Sequence, residues 1–192
     1  MGNPKLQLID RILKSGKRNF ANFRDIPGFS KLNQRGSAIF LSNLDKGTAF
    51  EEFVVNRFDD NYFNLIEWRS DKSIKGISAL MNKLPDLEFY FESNTQILQF
   101  AVECKWREYI VGYSIELKES QLEVYRHYER LTGYPVFVII GIGNIPHSPN
   151  QVYIIPLSEI KGNKLHEFDI QIFKRKQPHD NFFLDCKSQR LR

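Results

Sequence analysis

Apolar and polar positions along the chain recur with periods that mark out its elements. Leu6, Leu8, Ile9, Ile12 and Leu13 have a rough amphipathic spacing, which predicts a short helix ended by Gly16. The stretch KRNFANFRDIPGFSKLNQRG that follows has no period. Rich in Lys, Arg, Phe and turn residues, it reads as a surface loop held to the core by its phenylalanines, with a DNA-contacting arm as the alternative. In KGTAFEEFVVNRF the period becomes helical, placing Phe50, Phe53, Val54 and Phe58 on one face. YFNLIEWR, Tyr62 to Arg69, reads as a strand and DKSIKGISALMNK as a polar excursion. LPDLEFYFESNTQILQFAVECKW reads as two strands joined by a tight polar turn. SQLEVYRHYERLTG predicts a second helix, opened by Ser120 and closed by Gly133. YPVFVIIGIG is an unbroken apolar run, as expected of a strand covered on both faces, and QVYIIPL makes one more strand.

The order helix, strand, hairpin, helix, strand, strand predicts an α/β sandwich on one mixed sheet. The 192 residues suit a single domain. It divides into a basic lead-in (1–45), a core (46–157) and a C-terminal extension (158–192) too mixed to assign. A chain that is 42% hydrophobic and 26% charged is globular rather than disordered. Two cysteines, Cys104 and Cys186, exclude a disulfide framework and have no zinc-like spacing, so a reduced, cytoplasmic setting is expected. No apolar run reaches the ~20 residues that span a bilayer, and no signal-peptide core is present, so no membrane association is expected. A net charge of +4 and a pI near 9.0 permit an anionic partner such as nucleic acid without requiring one.

The candidate chemistry lies where the strand ending in QFAVECKW turns polar. Residues two apart on a strand share a face. One face carries Gln99, Ala101, Glu103 and Lys105, while Leu98, Phe100, Val102 and Cys104 keep the other apolar. On the preceding strand Asp86, Glu88 and Tyr90 share a face opposite to Leu87, Phe89 and Phe91. A hairpin loop of even length, Asn94-Thr95 alone or Ser93 to Gln96, sets Asp86 opposite Glu103, with Cβ atoms roughly 5 Å apart. Two carboxylates that close raise each other's pKa unless a cation intervenes. Mg²⁺, which takes carboxylate oxygens and keeps several waters, relieves the clash.

Pro85-Asp86 followed by Glu103-Cys104-Lys105 resembles the PD-(D/E)xK signature of the restriction-endonuclease-like nucleases. Those proteins carry a glutamate on the helix before the sheet, and Gly47-Thr48-Ala49-Phe50-Glu51 fits that pattern, with Glu51 as the residue and Glu52 as the fallback. Gln121-Leu122-Glu123-Val124-Tyr125 is similar to the QxxxY motif of the RecB-like branch. KGTAFEE, PD and ECKW together resemble archaeal Holliday-junction resolvases. The resemblance covers Lys46 to about Leu157 and implies a restriction-endonuclease-like core with a mixed central sheet flanked by helices. It implies a Mg²⁺-dependent DNA nuclease (Mn²⁺ as substitute) of repair, recombination or restriction, in which Asp86, Glu103, the backbone carbonyl of Cys104 and Glu51 bind metal. Asp86, Glu103, Lys105 and Glu51 are then catalytic, and Gln121 and Tyr125 contact substrate. Lys46, Arg57, Lys83, Arg107, Arg126 and Arg130 are candidates for sequence-independent phosphate contacts. A homodimer is the expected assembly if the enzyme makes two symmetric cuts.

Each motif also has a plainer reading. Thr48 to Glu51 and Ser120 to Glu123 both have the form of a capping box, which would make Glu51 a helix cap and Gln121 and Tyr125 an ordinary helix face. Glu103 and Lys105 form a structural ion pair in that view, Asp86 is turn chemistry after a proline, and Cys104 is a small buried residue. The four histidines are scattered and take no assigned role. The rival function is a non-catalytic nucleic-acid-binding or assembly module on a nuclease-like fold.

Overall fold

A computed structural model describes residues 43–69, 84–93 and 96–192. The expected N-terminal helix, the basic loop after it, the polar excursion and the Asn94-Thr95 turn lie outside the described residues.

The core is a five-stranded sheet in the order β1-β2-β3-β5-β6. Its strands are β1 (Phe63–Trp68), β2 (Leu87–Glu92), β3 (Ile97–Arg107), β5 (Val136–Ile142) and β6 (Gln151–Pro156). β3 and β5 run parallel and every other neighbouring pair is antiparallel, so the sheet is mixed. Helix α1 (Asn43–Val55) precedes the sheet, and α2 (Glu119–Thr132) makes the crossover that a parallel β3–β5 pair requires. This is the α/β architecture read from the sequence, a mixed central sheet flanked by helices.

The two faces of the sheet bury different chemistry. On one, Phe50, Phe53 and Val54 of α1 pack on Phe89, Phe100, Val102 and Phe137. Phe89 and Phe100 stack at 5.5 Å, and Phe58 sits against Phe89, Phe63 and Phe182. On the other, Leu122, Tyr125 and Tyr128 of α2 cover Ala101, Val138 and Ile140. All seven residues of β5 are buried, as its unbroken apolar run requires.

Both expected capping boxes are absent. α1 already begins at Asn43, so Thr48 and Glu51 lie inside the helix rather than at its start. α2 is capped at Lys118 without a side-chain hydrogen bond, which places Ser120 within its first turn. Its end is as expected: Gly133 adopts φ 73°, a left-handed turn that suits glycine, and its N–H donates to the Glu129 carbonyl. Phe58 lies past the end of α1 but keeps its place in the phenylalanine cluster.

The extension is ordered into small elements. β4 (Ser114–Glu116) pairs with β7 (Lys164–His166), which leads into the short α3 (Glu167–Ile170) and a 3-10 turn, Gln171–Phe173. β8 (Leu184–Asp185) and β9 (Arg190–Leu191) close as a hairpin. Phe182, Leu184 and Leu191 join the phenylalanine cluster, while Leu165 and Ile170 join the opposite one.

Candidate active site

Strand register builds the site. Leu87 pairs with Val102 and Glu88 with Ala101, the even-loop register. Continued by one residue, it sets Asp86 level with Glu103. The Cys104 N–H donates to Asp86 Oδ2 at 2.7 Å, which fixes that carboxylate at the end of β2. A strand residue projects its N–H and C=O to the same edge, so the Cys104 carbonyl also points to the Asp86 side, beyond the first residue of β2.

Among the described residues the buried charged side chains are Glu51, Glu88 and Glu103. Each has a protein partner, as burial of a charge demands. Glu103, 1% exposed, is ion-paired with Lys105 through Oε1, and the buried Tyr125 phenol of α2 faces it. Glu51, midway along α1, accepts 2.6 Å from the Trp68 indole at the end of β1. Glu88 is held by Arg69 at 2.8 Å and by the Tyr128 hydroxyl.

The electrostatics mark Asp86. Burial, then Glu103, then Glu51 push its carboxyl well above the ordinary range, against the opposing pull of Lys105 and the Cys104 N–H. Burial alone would lower the Lys105 ammonium, but Glu103 and Asp86 outweigh it and hold the group above its ordinary value. The Cys104 thiol is pushed well up by burial and by Asp86, Glu51 and Glu103, so it stays protonated. Its side chain packs against the phenylalanine cluster, on the face opposite to Glu103, which leaves its carbonyl as the available donor. The Tyr125 phenol is raised by burial, Glu103 and Asp86, and remains a hydrogen-bond donor.

A divalent cation fits this donor set in one specific respect. Glu103 Oε2 is buried with no hydrogen-bond partner, an acceptor that a cation would satisfy. Among the described residues no three His, Cys, Asp or Glu side chains converge as a ready-made metal cluster. Mg²⁺ does not need one, because it is held through one or two carboxylates and keeps its waters. Asp86, Glu103 and the Cys104 carbonyl supply that minimum, and Glu51 approaches from the α1 side.

Other sequence candidates are placed less centrally. Gln121 lies one turn before Tyr125 on α2 and is half-exposed. Arg57 donates to the His179 carbonyl and packs on the Phe53 ring, and Arg126 donates to the Ile160 carbonyl at 3.0 Å, so both also hold the fold together. Lys46 sits over the Trp106 ring at 5.4 Å, and Arg107 and Arg130 are exposed. Lys83 lies outside the described residues.

Sequence reasoning missed Arg69, Trp68 and Tyr128. Arg69 grips the Asp86 segment three ways: its N–H donates to the Asp86 carbonyl at 2.7 Å, Nη1 to the Pro85 carbonyl at 2.7 Å, and Nη2 to Glu88. A signal was present in the alternation of β2, which turns Glu88 inward with Asp86. An inward acid needs a cation, and Arg69, level with Asp86 on the neighbouring strand, is the one in reach.

No protein-family model matches the chain, and no curated protein matches it. Among solved structures it is similar to that of Archaeoglobus fulgidus Hjc, described as a Holliday junction resolvase from an archaeal hyperthermophile. That likeness has a TM-score of 0.46 and 18% sequence identity, and covers 66% of this chain and 88% of the other.

Proposed function

We propose that this protein is a metal-dependent nuclease that hydrolyses DNA phosphodiester bonds, in repair, recombination or restriction. The observation that carries the reading is the unpartnered, buried Glu103 Oε2 on the same edge as Asp86, whose carboxyl is crowded by like charge. Asp86, Glu103 and the Cys104 carbonyl would hold Mg²⁺ (or Mn²⁺), with Glu51 contributing directly or through water. The bound cation supplies charge neutralisation at the scissile phosphate and lowers the pKa of a bound water.

The remaining work belongs to the chain's own groups. Lys105, kept protonated by its acidic neighbours, puts positive charge where the phosphate's negative charge develops. Tyr125, buried on α2, walls the Glu103 carboxylate from the helix side. Gln121, one turn away, presents its amide to a substrate strand. Arg69 and Trp68 set Asp86 and Glu51 from behind.

The test is cleavage of supercoiled plasmid, linear duplex, single strand and four-way junction with Mg²⁺ or Mn²⁺. Wild type should cut at least one substrate, and Asp86→Ala and Lys105→Ala should lose the activity. Equal cutting by both variants would overturn the reading.

The second reading, a non-catalytic nucleic-acid module, is favoured by one observation: Lys105 already neutralises Glu103 without a metal. Thermal denaturation separates the two. A metal site raises Tm with Mg²⁺ by mass action and loses the rise in Asp86→Ala, whereas the module shows salt-dependent DNA binding and no metal effect.

A further inference from the structure

The C-terminal extension carries a groove that the proposed chemistry does not use. β6 is an edge strand of the main sheet, and the extension folds beside it to leave a cavity of about 710 Å³. Ile154 and Pro156 of β6, with Phe173 and Leu191, give it an apolar lining. Lys174, Arg175, Lys176, Arg190 and Arg192 also line it, against one acidic side chain, Asp180.

These cations differ in availability. The Arg175 guanidinium is spent on the carbonyls of Gln177, Asp180 and Asn181 and lies over the Phe182 ring, so it shapes the wall. Arg190 and Arg192 make only open, solvent-exposed pairs with Glu159 at 3.3 Å and Asp185 at 3.9 Å. Such pairs are weak and exchange readily for a phosphate. Lys176 is exposed, and Lys174 is exposed with its ammonium 5.9 Å from the centre of the Tyr153 ring, a loose contact that leaves it open to a phosphate. Phe183, 64% exposed, also lines the cavity, an unusual place for a large ring unless something covers it.

A small anion would use the charge and leave the apolar surface unused, and an apolar ligand would do the reverse. Alternating phosphates and unpaired bases use both, because every base has a face that stacks on an aromatic ring. We propose that this groove binds a single-stranded segment of nucleic acid, with phosphates on Lys174, Lys176, Arg190 and Arg192 and a base on Phe183. The strand register adds a position: Ile154 pairs with Ile139 and Ile139 with Cys104, so the groove's β6 wall lies two strands from Cys104, on the phenylalanine-cluster face and opposite to the face of Glu103 and Lys105. The groove's ligand is argued from its own residues, whereas a role in tethering a substrate strand rests on the nuclease reading.

The experiment is fluorescence anisotropy of a labelled oligothymidylate on the full chain, in EDTA and in the Asp86→Ala background, so that binding is read without cleavage. The double reversal Lys174→Glu with Lys176→Glu should weaken binding at least tenfold and flatten its salt dependence by one to two phosphate contacts. Phe183→Ala should weaken it about tenfold with the salt dependence unchanged. Lys161→Glu, an exposed reversal outside the groove, should stay within twofold of wild type. Far-UV circular dichroism confirms that each variant is folded. Unchanged binding in the groove variants, or an equal loss in Lys161→Glu, would overturn the proposal. So would displacement of the oligonucleotide by an oligoglutamate peptide at equal charge, since that result assigns the groove to acidic protein segments. Absence of any cleavage by the wild-type chain, with this binding intact, would sink the nuclease reading and leave the groove standing.

Discussion

Asp86 and Arg69 show how single residues set the site. Arg69 ties Pro85, Asp86 and Glu88 together from a side chain that is 5% exposed. Removing it strands a buried Glu88 carboxylate, and breaking such a pair costs about 3–5 kcal/mol. Urea denaturation of Arg69→Ala should show a loss of that size, and Arg69→Lys, which lacks the planar fork, should restore only part of it. Asp86 contributes with the opposite sign. Its carboxyl is raised in the fold, so between the unfolded and folded values the native state binds more protons than the unfolded chain, and stability falls as pH rises through that window. Asp86→Asn, which keeps the shape without the charge, should therefore raise Tm at neutral pH and flatten its decline with pH in metal-free buffer. A lower Tm for Asp86→Asn at pH 7 would show that the carboxylate is comfortable where it stands.

Helix α1 illustrates what an element adds to its residues. Its seat on the sheet depends on Gly141 of β5, where a Cβ would overlap the Phe50 ring, the farthest of three ring carbons being Cδ2 at 2.9 Å. Phe50 is fully buried and stacked on Phe53, so the ring has little room to yield. Gly141→Ala should cost about 1–3 kcal/mol by overpacking. Because Glu51 follows Phe50, it should also weaken any Mg²⁺-dependent rise in Tm. Pairing it with Phe50→Leu should recover part of the stability, a coupling that a double-mutant cycle measures. The sequence made the hairpin register legible, because alternation on both strands leaves one pairing that buries Phe89 against Phe100 and still aligns Asp86 with Glu103. It made β5 and the glycine end of α2 legible for the same local reasons. The start of α1 was not legible, since Thr48 to Glu51 has the form of a cap and the residues that extend the helix back to Asn43 lack an apolar period. Nor was the grip of Trp68 on Glu51, a contact between residues seventeen apart that only the fold creates.

At the scale of the molecule the C-terminal extension is part of the core. Ile160, Leu165, Ile170, Phe182, Leu184 and Leu191 are all buried. At about 1.5–3 kcal/mol for each buried side chain, their loss matches the 5–15 kcal/mol that a domain of this kind has in total. A chain ended after Leu157 should therefore lose cooperative thermal unfolding, and retention of a sharp transition would show that the core folds without the extension. No apolar period marks these residues, because their side chains are anchored one at a time by contact with distant strands. Arg69 has a last consequence at this scale. The chain leaves β1 at Arg69 and returns at Leu84, and the Arg69 N–H and guanidinium fasten the two ends together at Pro85 and Asp86. With its two ends fastened in this way, doubling the length of chain between them adds only about 0.6 kcal/mol of closure entropy. A reporter peptide spliced in between Arg69 and Leu84 should therefore leave Tm within about a degree of the parent chain, whereas in Arg69→Ala the same insertion should lower it further.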